Sequence, residues 1–121
     1  MEADTTNEAV REFLAAVGPA YLPPRWAFGY GQSRFGYKCE QDFLDVLEGH
    51  RKADLPLDYI CMDIDYMDGF RDFTVDPNRF PDLKAFSRRM LQEGIHLVPI
   101  VDAGIKVDPG EPVYEDGVKQ G

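Results

Sequence analysis

Aspartates crowd into one short segment, where they could bind a ligand or take part in acid–base chemistry. The segment MDIDYMDGFRDFTVDP, from Met62 to Pro77, holds five aspartates and comes just after the apolar stretch Leu55–Ile60. Another aspartate, Asp102, follows the apolar run Ile95–Val101. On neighbouring strands about 4.8 Å apart, Asp63 and Asp102 would hold carboxyl groups about 5–6 Å apart, the separation of nucleophile and acid in a retaining glycosidase. Equally, one carboxylate could bind substrate while the other supports a loop or an arginine.

A calcium loop is a poor interpretation of the same aspartates. An EF-hand loop needs oxygen ligands at positions 1, 3 and 5, glycine at position 6 and glutamate at position 12. Counted from Asp63, the last three of these positions hold Met67, Asp68 and Thr74. We therefore predict no metal site, and structural roles in turns and loop caps for the remaining acids. These acids are Asp65, Asp68, Asp72 and Asp76, with Arg34 and Arg71 as their expected partners.

Helical and strand patterns alternate along the chain and must position these acids. Apolar residues recur with helical spacing in three segments, separated by short aromatic or apolar runs. The predicted helices are Asn7–Val17, Glu40–Ala53 and Pro81–Glu93, and the predicted strands are Trp26–Gln32, Leu57–Met62 and Ile95–Val101. The last segment, residues 102–121, is rich in glycine and proline and is predicted to be a loop.

Strands that alternate with helices, and that are apolar on both faces, predict right-handed crossovers and a parallel sheet. Three such strands leave two edges and one face uncovered, so we expect an incomplete α/β domain. Ligands of parallel α/β folds bind beyond the carboxyl ends of the strands. Those ends carry Asp63, Asp102, Ser33 and Arg34. His96 begins its strand at the opposite end and is expected to be structural.

The composition limits the partners of this chain. Its 121 residues carry a formal net charge of −9, which argues against a nucleic-acid partner and an anionic membrane surface. No apolar run approaches the roughly 20 residues of a membrane span. Cys39 and Cys61 have no metal-type spacing and are expected to be free thiols. The acidic N-terminus MEADTTNEAV is unlike a signal peptide, which slightly favours the cytoplasm although the compartment is unknown.

Three longer segments carry an unusual combination of aromatic, acidic and glycine residues. They are PPRWAFGYGQSRFGY, LPLDYICMDIDYMDGFRDFTVDPNRFPD and GIHLVPIVDAGI. In order and spacing they resemble glycoside hydrolase family 31, the α-glucosidase family, from about Tyr21 onward. Asn7–Val17 is similar to the helix that leads into that family's barrel. The resemblance implies an α/β fold, the first three βα units of a (β/α)8 TIM barrel preceded by one N-terminal helix. Residues 1–121 would then be part of a catalytic domain.

The resemblance also implies an activity and a set of binding residues. The family hydrolyses α-glycosidic bonds with retention, so the expected ligand is an α-glucoside or related oligosaccharide, with no cofactor. Asp63 matches the aspartate that contributes to the family's −1 sugar subsite, and Ile100 and Asp102 match residues near the same pocket. Phe35 stands where the family often has tryptophan, which keeps an aromatic wall but removes the indole N–H.

The resemblance assigns no catalytic residue to this chain. The family's nucleophile and acid/base lie on later strands, in motifs that are absent here, so the chain alone is expected to be inactive. Its expected partner is the remainder of the parent barrel. The alternatives are a non-catalytic carbohydrate-binding or interaction module, and a transglycosylase or lyase of the same family. Two further aspartates at the ends of later strands would distinguish an enzyme from a binding module.

Overall fold

A computed structural model describes residues 4–121, in which α-helices pack around a small sheet. The α-helices are α1 (Thr6–Val17), α2 (Glu40–Lys52), α3 (Leu83–Gln92) and α4 (Pro112–Gln120), and the strands are β1 (Gly31–Gln32), β2 (Tyr59–Met62) and β3 (His96–Pro99). Short 3-10 helices cover Arg25–Phe28, Ile64–Tyr66 and Asp68–Phe70. Within residues 4–121, no helix combines the length and the apolar character that crossing a membrane requires.

The sheet has the strand order β1–β2–β3, and both strand pairs are parallel, as predicted. Helix α2 lies between β1 and β2 in the chain, and α3 lies between β2 and β3. Parallel neighbours need such crossovers because a tight hairpin can join only antiparallel strands. The carboxyl ends of the strands consequently meet at one edge of the sheet, where the loops that follow β2 and β3 begin.

Local capping signals set the ends of the helices. The Thr5 hydroxyl accepts a hydrogen bond from the N–H of Glu8 at 3.2 Å, and the Glu8 carboxylate accepts from the N–H of Thr5 at 3.1 Å. Asp82 caps α3 by accepting from the N–H of Ala85 at 2.8 Å. After α3, Gly94 has a φ of 83°, which favours glycine. The three predicted helices are confirmed to within two residues at each end.

The first predicted strand is shorter than expected. The sequence predicts a strand over Trp26–Gln32, but only Gly31–Gln32 pairs with β2. The preceding Arg25–Phe28 forms a 3-10 helix, in which the N–H of Gly29 turns back to the carbonyl oxygen of Trp26 at 3.0 Å. Aromatic residues favour strands by propensity, but here packing of the Trp26 ring under the sheet overrides that preference.

The C-terminal segment contains a helix, α4, where the sequence predicted only a loop. Pro112 occupies its first turn, a position at which proline is favourable. The Glu111 carboxylate accepts hydrogen bonds from the N–H groups of Val113 and Tyr114 at 2.8 and 3.0 Å. The prediction was wrong because glycine and proline content was averaged over the segment without regard to the position of each residue.

One hydrophobic core lies between the sheet and the helices α2 and α3. Along β2 burial alternates: Ile60 and Met62 are buried in this core, whereas Tyr59 and Cys61 are half-buried on the opposite face. The residues of the core are Tyr37, Phe43, Leu47, Ile60, Met62, Tyr66, Met67, Phe80, Phe86, Met90 and Ile95. The face that carries Tyr59 and Cys61 has no helix layer over it among residues 4–121, and the candidate site lies on that face.

Candidate functional site

Aromatic rings close the amino-terminal end of the uncovered sheet face. Gly31, Tyr59 and His96 are register partners across the three strands, so they share this face. The Trp26 indole stacks on His96 with ring centroids 4.0 Å apart and meets Tyr59 edge-on at 5.9 Å. Gly31 is required here because a Cβ atom would lie 2.0 Å from the Tyr59 ring. His96 therefore packs at the end opposite to the candidate site, as predicted.

A small cavity lies on the same face at the carboxyl ends of β2 and β3. Cys61 and Val98 are register partners, and Asp63 and Ile100 each lie two residues further along the chain. Because side chains at every second position share a face, Asp63 and Ile100 form the next layer beyond the strands. The cavity has a volume of about 190 Å³ and is lined by Ser33, Cys61, Met62, Asp63, Val98, Pro99 and Ile100. The structure thus brings together two of the four predicted binding residues.

Asp63 is half-buried and retains capacity to accept hydrogen bonds from a ligand. Its Oδ1 atom accepts a hydrogen bond from the N–H of Ile64 at 2.7 Å, at the start of the 3-10 helix Ile64–Tyr66. In the part of the chain that the structure describes, no lysine or arginine forms an ion pair with Asp63. A carboxylate with a spare oxygen on a cavity wall suits hydroxyl groups, which donate hydrogen bonds.

The other two predicted binding residues lie outside this cavity. The Phe35 side chain is 69% exposed, Asp102 is also exposed, and neither lines the cavity wall. The backbone of Asp102 is nevertheless fixed, because its N–H donates to Oδ1 of Asp72 at 2.8 Å. Asp63 and Asp102, the catalytic pair that spacing alone suggested, do not line a common wall.

Two arginines pair with the remaining acids of the segment after β2. Nη1 of Arg79 lies 3.1 Å from Oδ1 of Asp65, and Nε of Arg79 lies 3.4 Å from Oδ2 of Asp76. Arg71 pairs with Asp68. The structural roles predicted for these acids agree with the contacts. Arg71 was predicted as a partner, whereas Arg79 was not, although its three-residue spacing from Asp76 was a usable signal.

Among the acids of residues 4–121, none forms an ion pair with Arg34, so that prediction is wrong. Its guanidinium lies 4.9 Å from the centroid of the Tyr37 ring, a distance at which a cation and an aromatic face attract each other. Gly36, with a φ of 97°, turns the chain between the two residues. The turn directs Arg34 toward Tyr37 rather than toward the acidic segment after β2.

Tyr66 connects the loop after β2 to the loop after β3, a role that no pattern in the sequence predicted. Its hydroxyl donates a hydrogen bond to the carbonyl oxygen of Ile100 at 2.7 Å, across 34 residues of chain. Burial raises the pKa of Tyr66, and the negative charges of Asp72 and Asp102 raise it further. Tyr66 is therefore a neutral donor over the physiological pH range.

The two cysteines are free thiols, which confirms the prediction for Cys39 and Cys61. Within residues 4–121, no group of three or more histidine, cysteine or acidic side chains is arranged to hold a metal ion.

Three hollows with larger volumes lie elsewhere and contain none of the four predicted binding residues. They measure about 690 Å³ between the amino-terminal parts of α2 and α3, about 500 Å³ beside β1 and α2, and about 240 Å³ beside α4. Judged by volume alone, these hollows would be the better ligand-binding sites. However, parallel α/β folds bind ligands beyond the carboxyl ends of their strands, so the smaller cavity beside Asp63 is the better candidate.

Known sequences match most of this chain. The sequence model described as the glycosyl hydrolases family 31 TIM-barrel domain matches residues 20–121. Alpha-glucosidase 2 of Bacillus thermoamyloliquefaciens is 43% identical over 115 residues, which cover 95% of this chain and 15% of that protein. Human neutral alpha-glucosidase AB is 41% identical over 110 residues, which cover 91% of this chain and 12% of that protein.

A solved structure is similar to this chain in its fold. The crystal structure of the Family 31 alpha-glucosidase from Bacteroides thetaiotaomicron matches with a TM-score of 0.78 and 38% identity, over 97% of this chain and 20% of that chain. The chain thus spans at most a fifth of the length of these three proteins. The parallel sheet and its crossover helices correspond to the first βα units of a TIM barrel, which confirms the predicted fold class.

Proposed function

The chain belongs to the TIM-barrel domain family of the family 31 glycosyl hydrolases, and we propose that it supplies one wall of the −1 sugar subsite of a retaining α-glycosidase. One observation carries the proposal: Asp63 and Ile100, which follow two different strands, line one cavity at the carboxyl edge of the sheet. TIM-barrel enzymes build their sites at this edge. The proposed ligand is an α-glucoside or a related oligosaccharide, because the relatives described above are named α-glucosidases.

The chemistry of the cavity wall suits a sugar ring. Sugar hydroxyls donate hydrogen bonds, and a carboxylate such as that of Asp63 accepts them about twice as strongly as a neutral acceptor does. Ile100 adds an apolar surface against which the C–H face of a sugar can pack. The negative charge also stabilises the oxocarbenium-like transition state of glycoside hydrolysis.

In this proposal, the residues that cleave the glycosidic bond lie outside this segment. Residues 1–121 would form the beginning of a (β/α)8 catalytic domain, and later strands of the same barrel would supply the nucleophile and the acid/base. Asp102 and Phe35 would contribute to the rim rather than to the floor of the subsite, because both are exposed and lie outside the cavity wall. On its own, the segment would bind the sugar incompletely and would not hydrolyse it.

Replacement of Asp63 by asparagine in the complete protein tests the proposal. Asparagine keeps an oxygen to accept the Ile64 N–H at the 3-10 helix, but it loses the charge and turns one acceptor into a donor. A hydrogen bond to a charged group contributes about 1.5–3 kcal/mol, so kcat/KM for an aryl α-glucoside should fall roughly 10- to 150-fold. Some turnover should persist because the nucleophile is retained.

Asp54→Asn is the matched control. Asp54 is exposed and follows α2, at the opposite edge of the sheet, and its φ of 53° is one that asparagine tolerates. The same change of charge there should alter kcat/KM by less than about twofold. The proposal fails if Asp63→Asn is kinetically silent in a protein with unchanged melting temperature, or if Asp54→Asn is the more damaging substitution.

A further inference from the structure

Two buried side chains of the loop after β2 bind the backbone of the loop after β3. The Tyr66 hydroxyl donates to the carbonyl oxygen of Ile100 at 2.7 Å, and Oδ1 of Asp72 accepts from the N–H of Asp102 at 2.8 Å. Tyr66 and Asp72 are each only 6% exposed. Neither residue lines the cavity that contains Asp63.

Burial distinguishes these two contacts from others between the same loops. Nζ of Lys106 donates to the carbonyl oxygen of Gly69 at 2.8 Å in an exposed contact, and Arg71 lies 3.5 Å from Asp108 with the two side chains 30% and 34% exposed. Solvent weakens an exposed charged contact until it contributes little. The two buried bonds are stronger, because water competes less for their polar groups.

The backbone on either side of Asp72 is held in an unfavourable conformation. Phe70 and Phe73 have φ values of 60° and 63°, in the left-handed region that residues other than glycine rarely adopt. Phe73 directly follows Asp72, and Phe70 precedes it by two residues. Strained backbone of this kind persists only where surrounding contacts over-determine it, and it is concentrated at functional sites. Here the strain accompanies the inward direction of the Asp72 carboxylate.

We propose that Tyr66 and Asp72 are positioning residues, which hold the loop after β3 so that Ile100 stays against Asp63 in the cavity. The proposal rests on the function proposed above for that cavity. Tyr66 acts directly on the residue that forms the apolar wall, and Asp72 acts two residues further along, on Asp102. Together they fix the chain on both sides of Val101, so the wall cannot shift away from the bound sugar.

A pair of substitutions at Asp72 in the complete protein separates a hydrogen-bonding role from a packing role. Asp72→Leu removes the acceptor while keeping similar bulk, and it should lower kcat/KM for an aryl α-glucoside about 10-fold or more. Asp72→Asn keeps an oxygen that can accept the Asp102 N–H, so it should stay within about threefold of the unsubstituted protein. If kcat/KM falls in Asp72→Leu but is retained in Asp72→Asn, loss of the hydrogen bond to the Asp102 N–H is the cause of the fall.

Asp108→Leu is the matched control, because Asp108 joins the same two loops through a longer and less buried contact with Arg71. It should change kcat/KM by less than about twofold. Tyr66→Phe removes only the hydroxyl that binds Ile100 and should lower kcat/KM about 3- to 10-fold. If Asp72→Leu does not fold, Tyr66→Phe carries the test, since it leaves the packing of the ring intact.

Double variants with Asp63→Asn test whether the loop substitutions act through the same sugar contact. A purely structural role would lower kcat/KM equally with and without Asp63→Asn. If the loop is positioned for the same sugar that Asp63 binds, the effect of Asp72→Leu or Tyr66→Phe should shrink to less than about threefold in the Asp63→Asn background. In correctly folded proteins, additive effects on kcat/KM would overturn the positioning role but not the proposed subsite. An equal fall in kcat/KM for Asp72→Leu and Asp72→Asn would have the same meaning. A silent Asp63→Asn would instead overturn the proposed subsite.

Discussion

At the scale of single residues, the environment of Tyr66 explains how a loop contact can persist at the edge of an acidic site. Its hydroxyl is buried, and Asp72 and Asp102 place negative charge nearby, so the ionised form is disfavoured. A neutral hydroxyl can donate to the Ile100 carbonyl oxygen, whereas a phenolate could not. Burial, together with these two acids, therefore widens the pH range over which this donor stays protonated.

Titration of the tyrosines tests this account. The pKa of Tyr66 is raised from the ordinary value of 10.0, so an unfolded chain would lose this proton first. The stabilisation that neutral Tyr66 provides should be fully present below about pH 10 and should be lost as the pH rises through the raised folded-state pKa. In ultraviolet titration, Tyr66→Phe should remove one late component from the signal of the six tyrosines. Loss of a component at or below about pH 10 would contradict the prediction.

At the scale of elements, the loop after β2 is the most constrained irregular segment of the site. It contains two successive 3-10 helices, and Gly69, Phe70 and Phe73 all have positive φ values. Glycine adopts such a conformation without steric cost, but for other L-residues it costs roughly 1–2 kcal/mol. The contacts of Tyr66 and Asp72 offset this cost.

A glycine–alanine pair at Phe73 measures the strain directly. Phe73→Gly and Phe73→Ala both remove the ring, but only alanine keeps the Cβ atom that makes a φ of 63° unfavourable. The glycine variant should therefore be more stable by about 1 kcal/mol in the complete protein, measured by unfolding in denaturant. The same pair at Ser87, an exposed position within α3, should give the reverse order by about 1 kcal/mol, because alanine favours helices. Equal stability of the two Phe73 variants would show that the loop is unstrained.

At the scale of the whole molecule, large apolar surfaces of this chain are exposed. Helix α1 has its apolar residues Val10, Phe13, Leu14 and Val17 between 43% and 60% exposed. The sheet face that carries the cavity has no second layer, and β1 and β3 each have one edge that pairs with no strand among residues 4–121. Exposed apolar patches and open strand edges promote association. In a complete barrel, neighbouring strands and helices would cover both.

The isolated 121-residue chain should therefore self-associate and should be inactive. We expect light scattering after gel filtration to show oligomers that grow with protein concentration, and no hydrolysis of an aryl α-glucoside above the level of a mock purification. Replacing the four apolar residues of α1 by lysine or glutamate should reduce association without restoring activity. A monomeric chain with a sharp thermal transition, or with turnover of its own, would contradict the prediction.

The sequence by itself determined the order of the central elements and the position of Asp63. Helix caps such as Asp82 and the apolar run of β2 are local signals, because they act through hydrogen bonds within one turn or through the pattern of a single segment. Parallel strands joined by helices then require that Asp63 and Ile100 follow the same edge of the sheet. The predictions failed at Trp26 and α4, where a single turn or cap outweighed the composition of its segment. The predicted strands Leu57–Met62 and Ile95–Val101 are also shorter in the structure, where β2 is Tyr59–Met62 and β3 is His96–Pro99.

The tertiary structure alone decided which acids and loops meet at that edge. The strand register places Asp63 and Ile100 in one layer and leaves Asp102 exposed outside the cavity. Tyr66 and Ile100 are 34 residues apart in the chain, as the hydrogen bond between them records. Such contacts depend on the path of the whole chain. Several side chains of the same type could form each contact, so the sequence does not show which one does. Spacing therefore identified the candidate carboxylates, but packing decided which of them line the cavity.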